Sequence, residues 1–408
     1  MNTNTQKEWK KNAIFFLTSQ TISLFGSMLV QYAITWYITL TTQSGAMMTI
    51  SIICGFLPSF FISPFAGVWA DRYNRKMLII LSDSIIAIST LILAIIFLLG
   101  YDSSWMLFLV LGIRSLGTGV QTPAVGAFIP QIVPEDKLIK IGGINGSIQS
   151  LTMLVCPMLS GALLSMATIE TIFFIDVITA AIAVFTLLLF LKVKAHSKAS
   201  EAQKSSYFND MKEGVIYIKN HSYVKKFFVF CTFFFILAAP ISFLTPLQVT
   251  RSFGNDIWRL TAIEITFSIG MMAGGIIIAS WGGFKNRVYT MTLSTCIIGI
   301  CTFLLGVTPI FWIYLAIMAI VGVAMPIFNT PSTVLLQEKV DPDFQGRVFG
   351  VLGMISSIMM PTGMMIFGPM ADIIKIEWLL IVTGLFLFIQ SIFMFKDKVL
   401  IKAGERVS

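Results

Sequence analysis

Gly67-Val68-Trp69-Ala70-Asp71-Arg72-Tyr73-Asn74-Arg75-Lys76 carries four formal charges in ten residues. Apolar runs meet it on both sides, over 46–70 and 77–100, and each is long enough to cross a bilayer as a helix of about 20 residues. A lipid-embedded backbone must satisfy its own hydrogen bonds, so two such runs joined by a short charged loop predict a helical hairpin in a membrane. The same pattern extends outward in both directions. Windows of about 19 residues give twelve spans, at 13–40, 46–70, 77–100, 104–129, 141–166, 169–192, 224–250, 259–282, 288–307, 309–335, 347–370 and 376–395. One long polar stretch, 193–223, divides them six and six. The predicted fold is an all-α membrane protein of twelve transmembrane helices. An N-terminal six-helix bundle (1–192) and a C-terminal one (224–408) are joined by a cytoplasmic linker.

Composition agrees. Of 408 residues, 56% are hydrophobic and only 12% charged, with mean hydropathy +0.86. Soluble domains carry about 25% charged residues, so a cytosolic enzyme is excluded. The net charge of +8 is resolved by where the charges sit. With the N-terminus in the cytoplasm, 24 of the 28 Lys and Arg fall on the cytoplasmic side. Arg251, Arg259 and Lys375 fall outside, and Arg114 falls within a span. That asymmetry sets the orientation, with both termini cytoplasmic. All eight tryptophans lie near span ends, as an interfacial aromatic belt requires. The five cysteines sit in apolar runs without ligand spacing, so they read as small hydrophobes and no metal site is expected. His196 and His221 share the linker, which excludes a histidine relay in the membrane. The polar N-terminus runs straight into a full-length span, so no removable signal peptide is expected.

The halves repeat. Thr122-Pro123 is followed eleven residues later by Pro134, and Thr330-Pro331 eleven residues later by Pro342, at an offset of 208. Two Pro-bounded loops at matched spacing point to duplication of a six-span unit.

Charge within the spans is costly and marks function. Arg114 lies in the middle of span four. Asp83 in span three, Asp176 in span six and Glu264 in span eight are the acids, and a carboxyl removed from water is a means of loading and releasing protons. Asp83, near the basic loop, reads as structural. Asp176 and Glu264 are the stronger coupling candidates, and at least one is expected to carry the proton. Span one bears Gln20, Ser23, Ser27, Gln31 and Thr35 on one helical face, and span four bears Arg114, Gly117 and Gln121. Of these, Gln20, Ser27, Gln31 and Gln121 are the cavity candidates. Span seven offers phenylalanines, then Pro240 and Pro246.

The loop at 67–76 resembles the signature G-x-x-x-D-R-x-G-R-K of the major facilitator superfamily. The degenerate counterpart Gly282-Gly283-Phe284-Lys285-Asn286-Arg287 stands in the second half. The resemblance implies a conformational gate. Gly67 would allow close helix contact, Asp71 would meet a helix N-terminus, and Arg72, Arg75 and Lys76 would complete a charge latch. Asn74 replaces the usual glycine and tolerates left-handed backbone better than most residues. Ile113-Arg114-Ser115-Leu116-Gly117 resembles the fourth-span motif R-x-x-Q-G of drug/proton antiporters, with Gly117 in the glutamine position. In span five, Pro157 and Gly161 alone survive from the antiporter motif G-x-x-x-G-P-x-x-G-G. Thr152, Cys156 and Ser160 replace its glycines, and small residues still permit close helix packing. Within the superfamily the chain resembles bacterial macrolide-efflux exporters. The likeness lies in Gln121-Thr122-Pro123-Ala124, in Gln337-Glu338-Lys339 and in Gly346-Arg347-Val348-Phe349.

The resemblance implies efflux of a small lipophilic compound across the bacterial cytoplasmic membrane in exchange for protons, by a monomer that uses the proton gradient and no cofactor. A siderophore or metabolite exporter is the alternative within transport, and a membrane sensor or scaffold the alternative outside it. No G-x-x-x-x-G-K-[ST] loop supports an ATP-driven pump. No module supports nucleic-acid binding, and no nucleophile or metal cluster supports an enzyme.

Overall fold

The twelve runs become helices in a computed structural model that describes residues 3–191 and 207–405. The helices gather into two compact units, Met1–Ile38 with Ile50–Lys204, and Thr39–Thr49 with Ser205–Ser408.

Unit 1 is built from α1 (Thr3–Thr42), α2 (Gly45–Arg72), α3 (Arg75–Leu98), α4 (Ser104–Ile132), α5 (Leu138–Met166) and α6 (Ile169–Phe190). Its turns follow local chemistry. Asn74 caps α3 by accepting the Met77 N–H at 3.4 Å, and Glu135–Lys137 form a single 3-10 turn before α5. An apolar cluster closes the end that carries Arg75 and Lys76. In it Phe16 of α1 meets Phe128 of α4 with ring centroids 5.0 Å apart, over Ile79, Ile132 and Leu187. The small-residue face of α5 meets α1. Ser160 donates to the Leu29 carbonyl at 3.2 Å and Cys156 points its thiol at the Phe25 carbonyl. Pro157 and Gly161 are buried on the same face.

Unit 2 contains α7 (Tyr207–Asn220), α8 (Ser222–Leu237), α9 (Ala239–Phe243), α10 (Thr245–Phe253), α11 (Ile257–Trp281), α12 (Arg287–Val307), α13 (Phe311–Lys339), α14 (Pro342–Ile373), α15 (Ile376–Lys396) and α16 (Lys398–Gly404). The seventh span, expected as one helix over 224–250, is three. Pro240 and Pro246 stand at the starts of α9 and α10, where a missing N–H breaks the ladder at no further cost. The Thr-Pro pairs lie inside α4 and α13, within the predicted fourth and tenth spans. Among the described residues, ten helices are individually long and apolar enough to cross a membrane. The broken seventh span is not among them, nor is α4, which Arg114, Gln121 and its glycines dilute.

The linker contributes an ordered piece to unit 2. Tyr217 of α7 stacks on Phe344, with centroids 4.7 Å apart, and donates to Asp341 at 3.1 Å. Glu213 pairs with Arg347 at 3.1 Å. At the chain's end Asp397 caps α16 through the amides of Val399 and Leu400 and meets Lys226 at 2.7 Å. Burial pushes this carboxyl up, but Lys226 and the two amides outweigh it and hold it below the ordinary range.

The corner joining α1 to α2 belongs to unit 2. There Asp372, near the end of α14, accepts from Ser44 Oγ at 2.8 Å and from the amides of Gly45 and Ala46 at 2.7 and 3.0 Å. Arg251 completes the corner, reaching Asp372 at 2.9 Å and the carbonyls of Gln43 and Ala371. A carboxylate on the first amides of α2 suits the positive end of that helix.

Candidate functional site

Polar side chains from α1, α3, α4 and α6 meet inside unit 1 at two levels. In the first, Asp83 of α3 is 1% exposed. Its Oδ1 accepts from Ser23 and from Gln121, each at 2.7 Å. Its Oδ2 is buried without a partner, as is Nε2 of Gln20, less than one turn from Ser23 on α1. The second level lies seven residues along α3 and α4, about 10 Å away at 1.5 Å per residue. There Arg114 forms an ion pair with Asp176 and donates to Thr90 and to the Ser27 carbonyl at 3.2 Å. Thr90 and Ser27 turn their hydroxyls onto Asp176 at 3.1 and 3.4 Å.

The local sequence explains how these groups meet. Ser23 and Ser27 are one turn apart on α1 and serve one level each. Gly26 lets α1 come close to α6, because a Cβ there would collide with Thr179 Oγ1 and lie 3.0 Å from Asp176 Oδ1. The two levels differ in electrostatics. Arg114 and Asp176 cancel each other's charge and satisfy one another's hydrogen bonds, as a buried pair must to persist. Among the described residues Asp83 has no cation, and only one of its oxygens is served.

The other expected residues fall elsewhere. Gln31 is exposed on α1, and its carbonyl accepts from Thr35, away from both levels. Glu264 is half-buried on α11 in unit 2. Thr90 bridges both members of the ion pair, yet nothing in the sequence singles it out. A lone threonine in an apolar span gives no signal until its helix is set against α4 and α6.

The motif at 67–76 gives a mixed result. Arg75 donates to the carbonyls of Ala70 and Ala127, both at 2.9 Å, and Lys76 to those of Leu191 and Leu188 at 2.8 and 3.4 Å. The carbonyls of Ala70, Leu188 and Leu191 lie in or just beyond the last turns of α2 and α6, whose negative ends attract cations, and that of Ala127 lies five residues before the end of α4. Arg72 is exposed, and a Cβ on Gly67 would meet nothing within 4 Å. The side chain of Asp71 lies outside the described residues. Asn74 is not left-handed. Its φ of −65° is that of an extended N-cap, so its side-chain oxygen, and not tolerance of positive φ, is what the turn uses. Asn286 repeats this at the start of α12, accepting from the Val288 N–H at 3.0 Å. The next residue, Arg287, holds Glu338 of α13 through both guanidinium arms.

Among the described residues, no three His, Cys, Asp or Glu side chains gather to hold a metal ion. Two helical units of related design, one with an ion pair and a lone acid sealed in its interior, define a multi-span membrane carrier. The Major Facilitator Superfamily model matches residues 16–364, and the chain belongs to that superfamily of membrane transporters. Macrolide efflux protein A of Streptococcus pyogenes is 31% identical over 378 residues, covering 92% of this chain and 93% of that protein. The staphyloferrin A transporter of Staphylococcus aureus is 24% identical, covering 89% and 90%. A bacterial homolog of the human lysosomal transporter Spinster, solved inward-facing and unoccupied, superposes with TM-score 0.73 at 14% identity. That match covers 98% of this chain and 99% of the other.

Proposed function

We propose that this transporter exports small lipophilic compounds across the bacterial cytoplasmic membrane by proton antiport, the two units alternating access to the cargo. The basic loop at 72–76 then lies in the cytoplasm, where the excess of Lys and Arg belongs. Relationship to a macrolide efflux protein supports the cargo class. One observation carries the coupling mechanism. The carboxylate of Asp83 is sealed in unit 1 with no cation among the described residues beside it, while Arg114 and Asp176 neutralise each other.

The groups around Asp83 are Ser23 from α1 and Gln121 from α4, both neutral. Arg114 and Asp176 stand two turns further along. An acid so placed carries an uncompensated charge when ionised, and a proton is the smallest group that removes it. We therefore assign the coupling proton to Asp83 and the ion pair to Arg114 and Asp176. A siderophore exporter is the second reading, supported by the staphyloferrin A transporter among the relatives.

A compound screen in an efflux-deficient bacterial host, with and without a protonophore, tests the proposal. Lipophilic compounds should accumulate less in cells expressing the protein, and the protonophore should abolish the difference. Export that survives collapse of the proton gradient would end the antiport reading. Export of siderophores alone would replace the cargo class.

A further inference from the structure

Two buried polar atoms of opposite kind lie beside one another's helices in unit 1. Nε2 of Gln20 is a donor and Oδ2 of Asp83 an acceptor, and neither has a partner among the described residues. Ser23 brings their side chains to one place. It stands three residues after Gln20 on the same face of α1, and its hydroxyl holds Asp83 through Oδ1 at 2.7 Å. Gln121 of α4 donates to that same oxygen, which leaves Oδ2 unserved. Ser19, the hydroxyl next to Gln20, is committed to the Phe16 carbonyl at 2.8 Å. A buried amide donor and a buried carboxylate oxygen that do not reach one another are the setting in which a water molecule bridges.

Three helices place an apolar seal on one side of these atoms. Phe16 lies four residues before Gln20 on α1, and Ile79 four before Asp83 on α3, each about 6 Å along its axis. Phe128 lies seven residues after Gln121 on α4, about 10 Å along. α1 and α3 start at the end that carries Arg75 and Lys76, and α4 finishes there, so all three residues stand on the same side of Asp83. They are buried in one apolar cluster. On the other side lie Arg114 and Asp176, which bond to each other, to Thr90 and to Ser27. Asp83 therefore sits between an ionic level and an apolar one. Gln20 is the first polar side chain on the way from Asp83 to the apolar seal. Its amide nitrogen can donate but cannot take up a proton, so it can orient a carrier without being one.

We propose that Gln20 and Asp83 bind a water molecule between them, and that this water passes the Asp83 proton to and from the end of unit 1 that bears Arg75 and Lys76. On release, the water oxygen takes the proton from Oδ2 and gives up one of its own hydrogens toward the seal. On loading, the same two transfers run in reverse. Gln20 is the positioning residue, since its Nε2 donates to the water and leaves the water's hydrogens free for Oδ2 and for the route outward. Phe16 and Phe128 keep further water out, so a continuous path forms only when their rings part. The route lies wholly within unit 1. Its role in transport rests on the assignment of the coupling proton to Asp83, and the water itself is tested apart from that assignment.

Two measurements on the full-length protein test this. A crystal structure that shows ordered water should place density within hydrogen-bond reach of both Gln20 Nε2 and Asp83 Oδ2. Gln20→Leu, which keeps the bulk of the side chain and removes the donor, should lose that density. Infrared spectroscopy in lipid bilayers reads the protonated Asp83 carboxyl as the band that Asp83→Asn removes, and a switch to deuterium oxide times its exchange. Exchange should be about tenfold slower in Gln20→Leu and about tenfold faster in Phe16→Ala than in wild type. Gln20→Asn, which keeps an amide donor, should recover part of the rate, and the milder Phe128→Leu should act in the same direction as Phe16→Ala. No density between the two atoms in wild type, density that persists in Gln20→Leu, or a wild-type exchange rate in both Gln20→Leu and Phe16→Ala would overturn the proposal. A Gln20-dependent water and exchange rate, found together with protonophore-sensitive export in Asp83→Asn, would uphold the water site and bring down the assignment of the coupling proton instead.

Discussion

Arg114 and Asp176 show what a single buried charge demands of its neighbours. The pair is 5% and 0% exposed and is bridged by Thr90. Removing either charge strands the other in a water-free interior, at a cost of about 3–5 kcal/mol for pairs of this kind. Asp176→Asn should therefore lower the thermal unfolding midpoint of the detergent-solubilised protein. Adding Arg114→Gln to it should restore much of the loss, because the double variant buries no lone charge. A double variant less stable than either single one would mean that Arg114 and Asp176 stabilise the unit independently. Asp83→Asn should be mild by the same measure. It removes a charge that has no counter-charge, and an amide can still accept from Ser23 and Gln121.

At the scale of the helix, the corner between α1 and α2 makes the sharpest case. The amides of Gly45 and Ala46 are two of the donors that the start of any helix leaves without an intrahelical partner, and Asp372 takes both. Asp372→Asn keeps an oxygen acceptor but loses the charge that complements the helix end and Arg251. Amide hydrogen exchange over 42–50 should speed up by about tenfold, as expected for loss of roughly 1.4 kcal/mol of charge-assisted bonding, while exchange within α12 stays unchanged. Mass spectrometry reads both segments. Unaltered exchange at 42–50 would show that packing, and not Asp372, holds the corner. In the sequence this tie is only two isolated charges, because Asp372 lies 327 residues from Gly45. Local features were readable. Hydropathy located the helices, whereas Asn74, expected as a left-handed turn residue, is the extended N-cap of α3, and Asn286, known only as part of a loop motif, caps α12. Pro240 and Pro246 were visible as residues, but a hydropathy window averages over them and so joined three helices into one. Pairing Arg114 with Asp176 needed the rotation of two helices about their axes, which periodicity in mostly apolar spans does not fix.

Across the whole molecule, the two halves use one helical plan for different chemistry. The Thr-Pro offset of 208 aligns Arg114 of α4 with Gly322 of α13. The Asn-Arg starts of α3 and α12, 212 apart, align Asp83 with Thr295. Gly322 serves close packing against Phe267, and Thr295 returns its hydroxyl to its own helix at Met291. Unit 2 thus lacks the charge cluster at the positions equivalent to those in unit 1, and carries Glu264 on a helix that has no counterpart acid in the membrane-spanning part of α2. If the coupling proton is carried by unit 1 alone, Asp83→Asn should lose protonophore-sensitive export, whereas Thr295→Ala at the equivalent position of unit 2 should keep it. Accumulation of a lipophilic fluorophore in cells expressing either variant at equal levels, with and without a protonophore, separates the two positions. If Asp83→Asn retains protonophore-sensitive export, or Thr295→Ala loses it as fully, the division between the units fails.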